Sequence, residues 1–358
     1  MPPTPLELSA AGLIGGRTVQ IVAGGTVECH TYEIAPLADG HVRVRTLLSA
    51  ISPGTEMTFV GSAPTNAYLQ RHWDPDLRLF VDGAPTMTYP ITFGYRATGE
   101  VIESRDSSVP VGQRVFGNWK HTEYTSMPGA QALAQTLPDA LTWQDGLDIA
   151  QMGPICVNAV AFAEGEHRGS PAVVFGAGPV GLITAQVARA DGATAVYVVD
   201  RLPSRLAIAQ SLGLEPIEAA PGVDVAVLLK SRLGAEGIPV VFEATGASAA
   251  LHEAIRVVRR RGLVVALGFY QGDALGLRLG DEFHHNGVRI TCGQIGNIHP
   301  DWTWDTLRTR TRDLALTGEL VLGGISRLTV PVDNVADGFA ALARPAEVLQ
   351  VVLDYGVG

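Results

Sequence analysis

Residues 17–51 alternate apolar and polar positions in short runs: Val19 and Ile21, Val27 and Cys29, Val42 and Val44. Gly24-Gly25 and Asp39-Gly40 punctuate them as turns, so this stretch predicts antiparallel strands. The alternation lapses over 61–90, where Pro64, Pro75, Pro85 and Pro90 are interspersed with Tyr68, His72, Trp73, Phe80 and Tyr89. A stretch this long without periodicity predicts a mobile loop or a functional lid. Strand signals return at Gly99–Ile102, Arg114–Phe116 and Glu123-Tyr124. Trp143 to Phe162 then has a helical period, interrupted near Gly153-Pro154.

From Pro171 the pattern changes again. Apolar runs at Ala172–Phe175, Ala195–Val199, Val240–Phe242, Leu263–Leu267 and Arg289–Cys292 alternate with helical stretches near 180–190, 203–212, 223–233 and 247–259. Strand–helix–strand at this spacing predicts a parallel sheet covered on both faces. The tail predicts a helix near Trp304–Leu316, a strand near Ser326–Val330, a helix near Val335–Ala343 and a strand at Leu349–Leu353, a set able to return to the first domain.

Composition narrows the class. A chain of 358 residues with 46% hydrophobic and 17% charged residues predicts two buried-core domains of α/β type. The net charge of −10 argues against a nucleic-acid partner. No apolar run reaches the roughly 18 residues of a membrane span, and no secretory leader is visible, so the expectation is a soluble cytoplasmic protein with a small-molecule substrate. Cys29, Cys156 and Cys292 are scattered and odd in number, which argues against a disulfide scaffold or a cysteine-rich zinc lobe.

The chemistry-bearing motif is Gly176-Ala177-Gly178-Pro179-Val180-Gly181, directly after a predicted strand and opening a helix. Gly176 permits the tight turn, Gly178 lets backbone approach a pyrophosphate, and Gly181 lets helix and strand pack closely. The helix start offers unpaired N–H groups to phosphate. A second strand ends in Asp200, an acid placed to accept from the adenine ribose hydroxyls, which favours NAD over NADP. Arg201 counts the other way, and Arg205 either reaches the ribose or lies on a solvated helix face. Thr245, Gly268 and Phe269 follow later strands and either line the nicotinamide side or serve as plain loop residues.

With these motifs the chain resembles the medium-chain dehydrogenase/reductase superfamily over nearly its whole length. The resemblance rests on Ser52-Pro53-Gly54-Thr55-Glu56, Phe93-Gly94-Tyr95-Arg96-Ala97-Thr98-Gly99, Val111-Gly112-Gln113-Arg114-Val115, the Gly176–Gly181 turn with Asp200, and Leu349–Leu353. Ser52–Glu56 and Gly280-Asp281-Glu282-Phe283-His284-His285 are similar to the branch named for bacteriochlorophyllide dehydrogenases, which also has biosynthetic members. The resemblance implies a GroES-like β-rich catalytic domain at 1–150, completed by 298–358, a Rossmann domain at 151–297, a cleft between them, and a homodimer.

Many relatives hold a catalytic zinc with Cys, His and Cys. Here those places carry Pro53, Tyr95 and, by a looser alignment, Met152. Proline and methionine cannot complete that set, so the expectation is a zinc-independent enzyme interconverting a secondary alcohol and a ketone. Reduction of an activated C=C bond, or dinucleotide binding without catalysis, are the alternatives. Without metal, something must steady the developing oxyanion and supply a proton. Tyr95 with Arg96 can do so, with Thr55 as relay; Tyr95 can equally fill the old metal space, and Thr55 can simply hold its turn. A further expectation pairs Arg96 with Glu56 and leaves the proton to Tyr95 or His121. His284 and His285 are expected to be structural rather than a metal pair.

Overall fold

The computed structural model describes residues 15–356. The described residues form two compact units, one from 15–150 with 327–356 and the other from 151–326. The combination is the expected α/β architecture.

In the first unit, the predicted alternation becomes the antiparallel pair Gly15–Val22 and Thr26–Glu33, joined by Ile91–Thr92. A second sheet runs in the order Leu328–Pro331, Val351–Asp354, His41–Ile51, Ala97–Ser104, Arg114–Gly117, and Tyr124–Pro128 also pairs with His41–Ile51. Val351–Asp354 lies antiparallel to the Leu48–Ile51 end of the long strand, which is how the end of the described chain completes the unit. Its core includes Val19, Ile21, Phe59, Val335, Phe339 and Tyr355.

The stretch expected to be a loop holds more order than its prolines suggested. His72–Asp74 and Leu79–Val81 form a small hairpin with Trp73 opposite Phe80. The rings of Trp73 and Tyr68 pack on Phe80 at 5.0 and 5.2 Å between centroids. These aromatics therefore build a local cluster of their own.

The second unit has a six-stranded parallel sheet in the order Glu215–Glu218, Val196–Asp200, Ala172–Phe175, Val240–Glu243, Leu263–Ala266, Arg289–Cys292. Glu215–Glu218 escaped the sequence reading because it is short, carries Pro216 and lacks an apolar run. At a sheet edge all three are tolerated.

One boundary moves. The expected return to the first unit at 298 comes instead at Arg327. The helix Trp304–Thr317 packs on the helix Gly153–Ala161 of the second unit. A Cβ on Gly153 would run into the Thr311 side chain, so glycine lets the two helices touch. Asn158 then pins the intervening loop, donating to the Gly293 and Asn297 carbonyls at 3.1 Å each and accepting from the His299 N–H at 2.9 Å. The predicted break near Gly153-Pro154 begins earlier, as a π-helical turn at Asp148–Met152.

Candidate active site

In the second unit, the strand Ala172–Phe175 delivers the chain into the glycine turn and then the twelve-residue helix Pro179–Ala190. Gly176 has φ +99°, a region that disfavours any side chain. A Cβ on Gly181 would collide with the Gly176 carbonyl, so the helix packs as closely as its motif requires. Pro179 takes the first helical position, where a missing N–H costs nothing, and the Val180 carbonyl accepts from the Thr184 hydroxyl at 2.8 Å.

Asp200 has a structural task as well as the expected one. Its Oδ2 accepts from the Ala177 N–H at 2.8 Å and its Oδ1 from the Leu202 N–H at 2.9 Å. The carboxylate thus holds the glycine turn in shape, and each oxygen keeps a second lone pair for a ribose hydroxyl. Arg201 is exposed. Arg205 sits beside the glycine turn, its Nη1 3.9 Å from where a Gly178 Cβ would stand. Burial lowers its pKa, and the Asp200 charge opposes that shift.

The later strand ends converge on the same turn. A Cβ on Gly176 would lie 2.9 Å from Thr245 Cγ2, while Gly268 is packed against the Gly246 backbone too closely for any side chain. Phe269 stands 37% exposed beside them. Glu243, expected only to contribute backbone, and Tyr270, absent from the expected site residues, are bonded here. The buried Glu243 carboxylate accepts from the Thr245 N–H at 2.7 Å, the Thr245 hydroxyl, the Gly246 N–H at 3.2 Å and the Tyr270 hydroxyl. An acid closing an otherwise apolar buried strand was the available signal.

In the first unit, the turn after His41–Ile51 places Ser52 to Glu56. Thr55 is held by its backbone: its N–H donates to Ser52 O at 3.2 Å and its carbonyl accepts from the Thr58 hydroxyl at 2.6 Å. Glu56 is fully buried. One of its oxygens accepts from the Ser52 N–H at 3.1 Å, and the other faces His121 Nε2 at 3.0 Å. His121 Nδ1 lies 2.7 Å from the Ser49 hydroxyl, itself 3.2 Å from the Tyr355 hydroxyl.

The expected Arg96–Glu56 pair does not form. Arg96 is fully buried and donates to the Ala50 and Ile51 carbonyls at 3.1 and 2.8 Å and to Asp148 Oδ1 at 3.1 Å. Arg327 bonds the other Asp148 oxygen. The π-helical turn brings in an acid that sequence spacing did not associate with Arg96, and Glu56 has His121 instead. The Arg96 guanidinium is held by these partners.

Tyr95 is partly exposed. Its position is set by Gly94, φ +106°, which lies so close to the His121 backbone that a side chain is excluded. Burial, then the Glu56 charge, push the phenol above the ordinary tyrosine range; hydrogen bonds to the Ser52 and Thr55 side chains act the other way. Ser52 is therefore a further site residue that the sequence reading passed over.

The family described as zinc-binding dehydrogenase matches residues 179–308. D-guloside 3-dehydrogenase of Shigella flexneri is 25% identical over 308 residues, spanning 81% of this chain and 85% of its own. (R,R)-butanediol dehydrogenase of Bacillus subtilis (strain 168) is 28% identical over 233 residues, 57% of this chain and 64% of the relative. The crystal structure of 2R,3R-butanediol dehydrogenase from Bacillus subtilis superposes with a TM-score of 0.76 at 20% identity, covering 95% of this chain and all of that one. The chain is an oxidoreductase, similar to dehydrogenases of the medium-chain, zinc-binding type.

The zinc that its relatives' family name implies would meet altered residues at the positions that the resemblance assigns to its ligands. Among the described residues no three His, Cys, Asp or Glu side chains stand together as a metal group. Glu56 and His121 are bonded to each other, and the matching positions carry Pro53 and Tyr95. His284 and His285 lie on a short helix, with ring centroids 5.3 Å apart and exposed. The dinucleotide, by contrast, fits: the bare Gly176–Gly181 turn and the helix start follow one strand, and Asp200 ends the neighbouring one. No helix among the described residues is long and apolar enough to cross a membrane.

Proposed function

We propose that this oxidoreductase interconverts a secondary alcohol and a ketone with NAD and without zinc, Tyr95 handling the proton. The observation that carries the reading is the place of Tyr95, next to Gly94 whose backbone is packed on His121, itself bonded to the buried Glu56 carboxylate. Such a place can hold and pass a proton, and it lacks a ligand set for a metal. The nicotinamide, when bound, supplies or accepts the hydride. Tyr95 donates to the oxygen that gains charge during ketone reduction, and Ser52 or Thr55 returns a proton to it. Asp200 supports NAD because a carboxylate there accepts ribose hydroxyls and repels a 2′-phosphate. The motifs Ser52–Glu56 and Gly280–His285 support the bacteriochlorophyllide-type branch without naming a substrate.

The test is a panel of secondary alcohols, ketones and enones, assayed by nicotinamide absorbance with NAD(H) and NADP(H), with and without a strong chelator. Turnover of alcohols or ketones with NAD(H), unchanged by the chelator, is expected. Loss of activity on chelation, restored by zinc, overturns the metal-free reading; preferential turnover of enones overturns the reaction.

We also propose a homodimer. Arg289–Cys292 closes the six-stranded sheet with a neighbour on one side only among the described residues, and its Ile290 is exposed. An open edge of this kind invites a second copy to continue the sheet. Light scattering is expected to give twice the 37.7 kDa chain mass, and a monomer mass overturns it.

A further inference from the structure

In the sheet of the second unit, Ala172–Phe175 and Val240–Glu243 are neighbours. From them the chain departs in opposite directions, to Val196–Asp200 on one side and Leu263–Ala266 on the other. Ligands of open parallel sheets lie outside the carboxyl ends of strands at this reversal. Glu243 is the last residue of its strand, directly opposite Phe175 and so one residue from the start of the glycine turn.

Its surroundings are unusual for a buried acid. Donors reach both oxygens, Thr245 N–H and hydroxyl on one, Gly246 N–H and the Tyr270 hydroxyl on the other, which suits the ionised form. All four donors are neutral, and among the described residues no cation pairs with this carboxylate. Buried charges are ordinarily paired, so the lone charge at the reversal invites a reason beyond packing. Tyr270 also ties its own loop, 267–270, to the strand end that carries Thr245. Burial and the Glu243 charge raise the Tyr270 pKa, so the phenol remains a donor at neutral pH.

We propose that Glu243, trimmed by its Tyr270 hydrogen bond, is a positioning residue that sets the relative affinity of the site for oxidised and reduced dinucleotide. The proposal rests on the dinucleotide reading above. The oxidised nicotinamide ring carries a positive charge that the reduced ring lacks. A fixed negative charge at the reversal stabilises the oxidised form selectively, and the Tyr270 hydroxyl, by neutralising part of it, moderates that preference.

The experiment is the dissociation constants of NAD⁺ and NADH for the full-length protein and two variants, by titration calorimetry. Glu243→Gln removes the charge and keeps the shape; it is expected to weaken NAD⁺ relative to NADH by about tenfold, the scale of one charge acting across a protein site. Tyr270→Phe leaves the charge less compensated and is expected to move the ratio the opposite way, by about threefold, as a neutral–charged hydrogen bond would. A structural role weakens both forms together and leaves the ratio alone. Ratios unchanged within about twofold in the variants, with wild type binding both forms, overturn this proposal and spare the dinucleotide reading. Wild-type protein that binds neither form overturns both. If Glu243→Gln does not fold, the sign of the Tyr270→Phe shift decides the matter alone.

Discussion

Tyr95→Phe lowers ketone reduction by about 10²–10⁴-fold, the usual contribution of a positioned general acid, and leaves NADH binding within about twofold. The change removes one oxygen from a ring whose place is set by the Gly94 backbone, so the fold has no reason to move. The pH dependence of the wild type gives an independent reading. Burial foremost, and the Glu56 charge, raise the Tyr95 pKa, while Arg96, Ser52 and Thr55 oppose the rise. With its pKa above the ordinary tyrosine value of about 10, the phenol is protonated throughout the neutral range. Ketone reduction, which needs that proton, is therefore flat through neutrality and falls only in strong alkali. Alcohol oxidation needs the phenolate and climbs with pH across the same range. Initial rates in both directions, wild type against Tyr95→Phe, check both claims; a variant with full turnover removes Tyr95 as the proton donor.

Asp148→Asn destabilises the first unit by about 3–5 kcal/mol, the cost of leaving a buried charge without its partner. Asp148 and Arg96 are completely enclosed, and Arg327 bonds the second Asp148 oxygen. Removing the single negative charge leaves two guanidinium groups facing each other in a dry site. The arginine charge is already disfavoured there: desolvation lowers the Arg96 pKa, with Asp148 as the largest opposing influence. The expected result is a large fall in the denaturant midpoint of the first unit. Replacing the whole cluster by apolar residues of similar volume should cost less than the single change, because no charge is then stranded. A midpoint unchanged in Asp148→Asn would mean that water reaches the cluster.

The two predictions separate two roles that looked interchangeable along the chain. Tyr95 and Arg96 are adjacent, and both carry groups suited to steadying an oxyanion. Their neighbours in the fold divide them: Tyr95 meets hydroxyls, whereas Arg96 meets carbonyls and an acid from a turn 52 residues later. Glu56 likewise exchanged its anticipated partner for His121, 65 residues away. Nothing in local spacing distinguishes these pairings, since residues that distant meet only through sheet register.

The nucleotide side was far more legible. Gly176, Gly178 and Gly181 follow one strand and open one helix, and the physical demand on each acts within that segment: a turn, a close approach, a tight helix–strand contact. Asp200 ends the next strand, and parallel strand–helix–strand geometry puts successive strand ends side by side. Local demands of this kind leave their mark in local residue types. Tyr270 left no such mark, because its partner Glu243 is on another strand and a tyrosine in a loop carries no spacing signal.

By its own pattern, then, the chain determined most of the strands and helices, the parallel sheet and the glycine turn, since periodicity and glycine placement act over a few residues. The tertiary structure alone decided that 298–326 stays with the second unit, that Arg96 is bonded to Asp148, that Glu56 faces His121, and that Glu243 is tied to Tyr270. Each depends on burial and on a contact between distant segments. The energy of a buried charge is set by what surrounds it in space, and a linear order of residues does not specify those surroundings.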